Sequence, residues 1–158
     1  MEEKKSTTPE QALHKLQQLC SRQEKCEADV ITLLNRWGVE REKHSAILGS
    51  LRQDDYISES RYVAAFVKDK IRFEHWGMIK IAYMLHHKGI SKKTTEEAFR
   101  NIDKSEYRRM IVHELEKKRK SLKGSPRENW VKLARYGTSR GYEMEFMQDF
   151  LAGIEPES

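Results

Sequence analysis

Six histidines, two cysteines and an Asp-Asp pair are the residues here whose types lend themselves to chemistry, and their spacing argues against each use. His14, His44, His75, His86, His87 and His113 form no HExxH and no i, i+4 pair, the arrangement that aims two imidazoles at one metal. His86 and His87 are adjacent, so a helix points them about 100° apart, a poor geometry for one ion. Asp54-Asp55 falls between helical patterns, where Asp is ordinary turn chemistry. Cys26 has no sequence-level activator, and it stands six residues from Cys20, neither a CxxC pair nor a disulfide framework. No GxxxxGK[ST] phosphate loop occurs. The sequence predicts no catalytic centre, no metal site and no cofactor; it does not read as an enzyme.

Binding is what remains, and the charge distribution points to it. Residues 104–140 carry twelve Lys and Arg against four Glu, whereas Gly141 to Ser158 carry five acids and no Lys or Arg. Such asymmetry suits a polyanionic or acidic partner, although a solvated helix face explains much of it equally well. Arg108, Arg109, Lys117, Lys118, Arg119, Lys120, Lys132, Arg135 and Arg140 are the candidate contacts, with Lys123 and Arg127 beside them on two consecutive predicted helices. Of the three tryptophans, Trp37 and Trp130 fit apolar faces, and Trp76, outside a helix start, is the candidate for base stacking. Lys80 and Lys88 join the list from the wet side of the next helix.

The elements that must position these residues are legible from one stretch, Trp76 to Ser91. Gly77 permits a tight entry, Met78, Ile81, Met84 and Leu85 recur on one face, and Gly89 stops the helix. This stretch has two relatives in the chain. Gly38, Gly89 and Gly141 are 51 and 52 residues apart. Apolar or aromatic residues stand at the same offsets from each: Val39, Ile90 and Tyr142 one after, Val30, Ile81 and Leu133 eight before. The offsets of five before and nine, ten and thirteen after behave alike. No segment alternates like a strand. The sequence therefore predicts an all-α protein of three tandem three-helix repeats in an elongated, curved array. The division is a tail at 1–8, repeats at 9–57, 58–102 and 103–154, and a tail at 155–158.

Composition fits that picture. Of 158 residues, 37% are hydrophobic and 35% charged, a lean core that suits units burying one face against a neighbour. No apolar run approaches the roughly 18 residues of a membrane span, and Met1-Glu2-Glu3-Lys4-Lys5 lacks a signal peptide's apolar segment. A cytoplasmic monomer with reduced thiols, away from any membrane, is the expectation.

These residues resemble the RecX family of bacterial recombination regulators. Leu51 through Arg61-Tyr62-Val63-Ala64-Ala65-Phe66-Val67 is similar to the family's D-D-x-R-[FY]-A-x-x-[FY]-V segment. Trp76-Gly77 through Ile81, Leu85 and Lys88-Gly89-Ile90 resembles its [KR]-x-G-P-x-[KR]-I-x-x-x-L-x-x-K-G-I segment, and Arg140-Gly141-Tyr142 its [KR]-G-[FY]. Ser58 and Glu59 stand where two acids are usual, Val63 where Ala is, and Met78 where Pro is. The resemblance implies three three-helix repeats. It also implies a protein that binds the RecA filament on DNA and suppresses its ATPase and strand exchange. A stand-alone helical module binding single- or double-stranded DNA is the alternative, and a structural adaptor without a nucleic-acid role the third reading.

Overall fold

The protein, described by a computed structural model over residues 7–154, is helical throughout that span apart from turns. Residues 1–6 and 155–158, assigned above to the tails, lie outside the described residues. The helices among the described residues are α1 (Pro9–Arg22), α2 (Glu27–Arg36), α3 (Arg41–Gln53), α4 (Glu59–Arg72), α5 (Met78–His87), α6 (Lys92–Arg100), α7 (Lys104–Lys120), α8 (Pro126–Arg140) and α9 (Met144–Ala152). No strand occurs among the described residues.

Local chemistry sets the ends. Thr8 Oγ1 accepts the Gln11 N–H at 3.2 Å while Gln11 Oε1 accepts the Thr8 N–H at 3.1 Å, a reciprocal capping box. Thr7 N–H also donates to the Trp37 carbonyl at 3.0 Å, so Thr7 and Thr8 belong to the folded chain and not to the tail. Ser91, Asp103 and Ser125 cap α6, α7 and α8 through their side-chain oxygens. At α8, Ser125 Oγ accepts the Glu128 N–H at 3.2 Å. Gly38, Gly89 and Gly141 have φ of 71°, 75° and 90°, and no other glycine among the described residues is left-handed. The repeat frame thus marks three helix ends that need the same backbone turn.

Compact packing divides the chain in two, cutting across the three-fold division inferred from helix order. One unit comprises the described residues through Ala65 with Lys88–Ile90; the other comprises Phe66–His87 and the described residues from Ser91 onward. In the first, α1 and α2 pack on α3 around Leu16, Val30, Leu34, Ile47 and Leu51. In the second, α7, α8 and α9 pack on one another, and α5 packs on α6. Tyr107, Ile111, Leu115, Leu133, Tyr142 and Met147 are buried there.

The second unit contains a backbone interlock. The first N–H groups of a helix and its last carbonyls have no partners within the helix. Here the start of α5 and the end of α8 supply each other. Gly77 N–H donates to the Arg140 carbonyl at 2.7 Å, and Ile79 N–H to the Gly141 carbonyl at 3.0 Å. Between them, Met78 N–H donates to the Tyr107 hydroxyl at 2.8 Å, which itself donates to Glu143 Oε1 at 2.8 Å. Where the family resemblance expects proline, Met78 adds an N–H, and Tyr107 receives it. His75, left-handed at φ 55°, turns its carbonyl to accept the Tyr142 hydroxyl at 2.7 Å and Arg140 Nη2 at 3.2 Å.

Such proximity leaves no room for side chains. A Cβ on Gly77 falls 2.1 Å from the Gly141 carbonyl oxygen, and one on Gly141 falls 2.4 Å from Lys80 Cβ. Gly89 differs: its φ is left-handed, but nothing lies within 4 Å of an added Cβ. Gly77→Ala is therefore expected to destabilise by about 1–3 kcal/mol or more through overpacking. Conformational entropy alone predicts the opposite, a gain of about 0.4–1 kcal/mol at a position whose φ any residue can adopt. Gly89→Ala should cost about 1–2 kcal/mol from backbone strain alone. Denaturant titration of both variants checks the pair.

Candidate functional site

The basic candidates of α7 and α8 separate into engaged and available cations. Arg109, Lys117 and Lys120 lie on one face of α7, eleven residues being three turns. Arg109 and Lys120, with Lys123, Arg127, Lys132 and Arg135, are exposed and make no ion pair among the described residues. Lys117 Nζ reaches Glu114 at 4.0 Å, and Arg119 reaches Glu116 at 3.4 Å. Lys118 Nζ lies 5.3 Å from the Tyr136 ring centroid. Arg108 lies over Phe146 at 5.2 Å and reaches Asp149 at 3.7 Å. Apart from the buried Glu114 carboxylate, these are largely exposed contacts of small individual worth, so they soften the positive surface without removing it.

Two candidates are corrected. Arg140 faces inward: its guanidinium donates to the carbonyls of Glu74 and His75, and so belongs to the interlock. Partial burial would lower its pKa, but the neighbouring Tyr142 raises it overall. Tyr142 is in turn pushed up to about 12, mainly by burial. Lys88 is likewise taken, its ammonium 2.9 Å from Asp29 Oδ1 and 5.7 Å from the Tyr62 ring centroid, within the first unit. In both cases a cation near a glycine helix end neutralises carbonyl or carboxylate oxygens of its own unit, a use that sequence cannot separate from solvent exposure.

Trp76 also has a different role from the one its position suggested. It is half-buried, with Lys70 Nζ 4.7 Å and Lys80 Nζ 4.3 Å from its ring. A ring already facing two ammoniums is a poor stacking platform and a good holder of cations. The exposed rings are Phe73 and Tyr83, 67% and 62% accessible, which sequence reasoning missed. A groove of about 460 Å³ was also invisible beforehand. Four separate elements build it, with Met78, Ile79, Phe99, Tyr107 and Phe146 in its walls.

Among the described residues no cluster of three His, Cys, Asp or Glu is placed to hold a metal. Nor is any helix among the described residues long and apolar enough to cross a membrane. Fold and surface define an all-helical protein with a cationic face on α7 and α8 and an aromatic, cationic turn between α4 and α5. The family described as RecX, second three-helix domain, matches residues 58–98. A relative from Clostridium botulinum (strain Eklund 17B / Type B), named regulatory protein RecX, is 30% identical over 128 residues. That alignment covers 79% of this chain, which spans 59% of the relative's length. A crystal structure of regulatory protein RecX superposes with a TM-score of 0.81 at 20% identity, over 89% of this chain and 71% of that one. The crystal structure of RecX from Lactobacillus salivarius gives 0.77 at 18% identity, over 92% and 96%. Together these matches place the chain in the RecX family, whose members named here are regulatory proteins.

The Asp29–Lys88 brace carries a pH signature. Burial would raise the Asp29 pKa, but the Lys88 ammonium and the Cys26 N–H hold it below the usual carboxylate range. Burial would lower Lys88, but Asp29 and Tyr62 raise it above an ordinary lysine. Asp29 therefore contributes stability above its unfolded pKa of about 3.9, lost as pH falls through the folded value. Lys88 contributes below its unfolded pKa of about 10.4, lost as pH rises through the folded value. Between those limits Lys88→Ala is expected to cost about 1–2 kcal/mol, between the exposed and buried extremes. The cost should shrink in acid. Urea titrations at neutral and acidic pH, with the Asp29→Asn cycle, measure it.

Proposed function

We propose that this protein regulates recombination by binding the RecA filament on DNA and inhibiting its ATPase, recombination and strand-exchange activities. It acts by occupancy and not by catalysis, as a monomer in the cytoplasm where that filament forms. The observation that carries this reading is the set of exposed cations without ion pairs on α7 and α8, in a chain of the RecX family. Arg109, Lys120, Lys132 and Arg135 offer a filament's DNA or an acidic filament surface the charge it lacks. Phosphate contacts release counterions, so the binding they support falls steeply with salt.

The same surface suits a stand-alone DNA-binding module, and one assay separates the two. RecA ATPase on single-stranded DNA is titrated with the protein at two salt concentrations, beside direct DNA binding without RecA. The Lys120→Glu/Lys132→Glu/Arg135→Glu variant should inhibit more weakly. Its salt slope should flatten by about 0.7 for each single-strand phosphate that the variant no longer neutralises. Arg36→Glu/Arg41→Glu/Lys43→Glu, on exposed positions of α2 and α3, changes net charge equally and should inhibit like wild type. Equal inhibition by both variants and wild type would remove α7 and α8 from the interface. DNA binding without any inhibition would favour the stand-alone module.

A further inference from the structure

We propose that the α4–α5 turn is a binding site for single-stranded nucleic acid, with Phe73 and Tyr83 stacking on unpaired bases and Lys70 and Lys80 holding the phosphates between. The inference deepens the proposed function, on which it rests for its setting on DNA, but its evidence is separate. The chain has fourteen Phe, Trp and Tyr residues, all within the described span. Only Phe73 and Tyr83 are exposed; every other aromatic ring is buried or half-buried. Together with Ile79, 57% accessible, they are the most exposed large apolar side chains among the described residues.

The cations of this stretch lie mostly over its half-buried rings. Lys70 lies over Phe66 at 5.4 Å and over Trp76 at 4.7 Å, Arg72 over Phe73 at 5.7 Å, and Lys80 over Trp76 at 4.3 Å. Lys70 and Lys80 share one indole, so their ammoniums lie within about 9 Å, the sum of their distances to it. Neither makes an ion pair among the described residues. Two like charges gathered on one ring lack an anion, and a phosphodiester supplies it. Asp69 and Glu74 are the acids of this stretch; against them stand Lys68, Lys70, Arg72 and Lys80, leaving the segment 66–87 positive.

Stacking distinguishes the ligand. Tyr83 keeps an edge contact with His87, ring centroids 4.3 Å apart, and still exposes its ring; two exposed rings and two ammoniums within residues 70–83 suit the alternation of base and phosphate along a single strand. A duplex keeps its base faces inside the stack and offers these rings nothing but groove edges. The interlock holds the geometry, because Trp76 and Lys80 flank the three amides bound by the α8 terminus and Tyr107.

The test uses the whole protein without recombinase, by fluorescence anisotropy of a labelled oligo(dT) and of an abasic deoxyribose-phosphate oligomer of equal length. Oligo(dT) is expected to bind more tightly than the abasic strand. Phe73→Ala/Tyr83→Ala should weaken oligo(dT) binding about tenfold or more and leave the abasic strand unaffected. Lys70→Gln/Lys80→Gln should weaken both, and flatten the salt slope by about 1.4, the single-strand value for two phosphates. All four positions lie on the surface or over a ring, and circular dichroism confirms that each variant keeps its helices. No binding of oligo(dT), equal binding of the two strands, or an unchanged Phe73→Ala/Tyr83→Ala variant overturns the site. Failure here leaves the filament reading standing, since RecA is absent from the assay.

Discussion

The second unit depends on two peptide segments lying backbone to backbone. Gly77 and Gly141 are the only residues that allow it, because each Cβ position is filled by the other segment. Proximity then lets the orphan amides of one helix start meet the orphan carbonyls of another helix end. Neither segment achieves this alone. Arg140, Tyr142 and His75 reinforce the contact from the rim, and the left-handed turn at His75 is the local cost of reaching it. Everything on the α4–α5 surface inherits its position from this contact, including the indole that gathers Lys70 and Lys80.

Charge in this protein is used in two ways, and local surroundings decide which. Where a cation lies near a helix end that exposes oxygens, it is drawn inward, as at Lys88 and Arg140. On α7 and α8, by contrast, Arg109, Lys120, Lys132 and Arg135 are exposed and make no ion pair among the described residues. A fixed cation tightens a unit and gives little to a ligand. A free one keeps its hydration and its counterions, which a polyanion can displace.

The all-helical class and the helix ends were legible because both are local. Thr8-Pro9-x-Gln11 and Ser91 carry their caps within three residues, and Gly38, Gly89 and Gly141 share a conformation that few other residues tolerate. The interlock was not legible, since Gly77 and Gly141 are sixty-four positions apart and either reads as ordinary helix punctuation. For the same reason Trp76 looked like a free surface ring and Arg140 like a free cation. Membership of a repeat was visible from spacing. Membership of a compact unit was not, because packing assigns Lys88–Ile90 to the first unit and the preceding residues of α5 to the second.

Hydrogen exchange at the amides of Gly77 and Ile79 tests the interlock most directly. Amides at a helix start normally exchange fast, because nothing within the helix accepts them. With Arg140 and Gly141 as acceptors, both should instead be protected to nearly the level of core amides in the same unit, such as Ile111 and Leu115. Exchange at the rate of an open helix terminus would contradict the account, and would leave Trp76 and its two lysines without a fixed support.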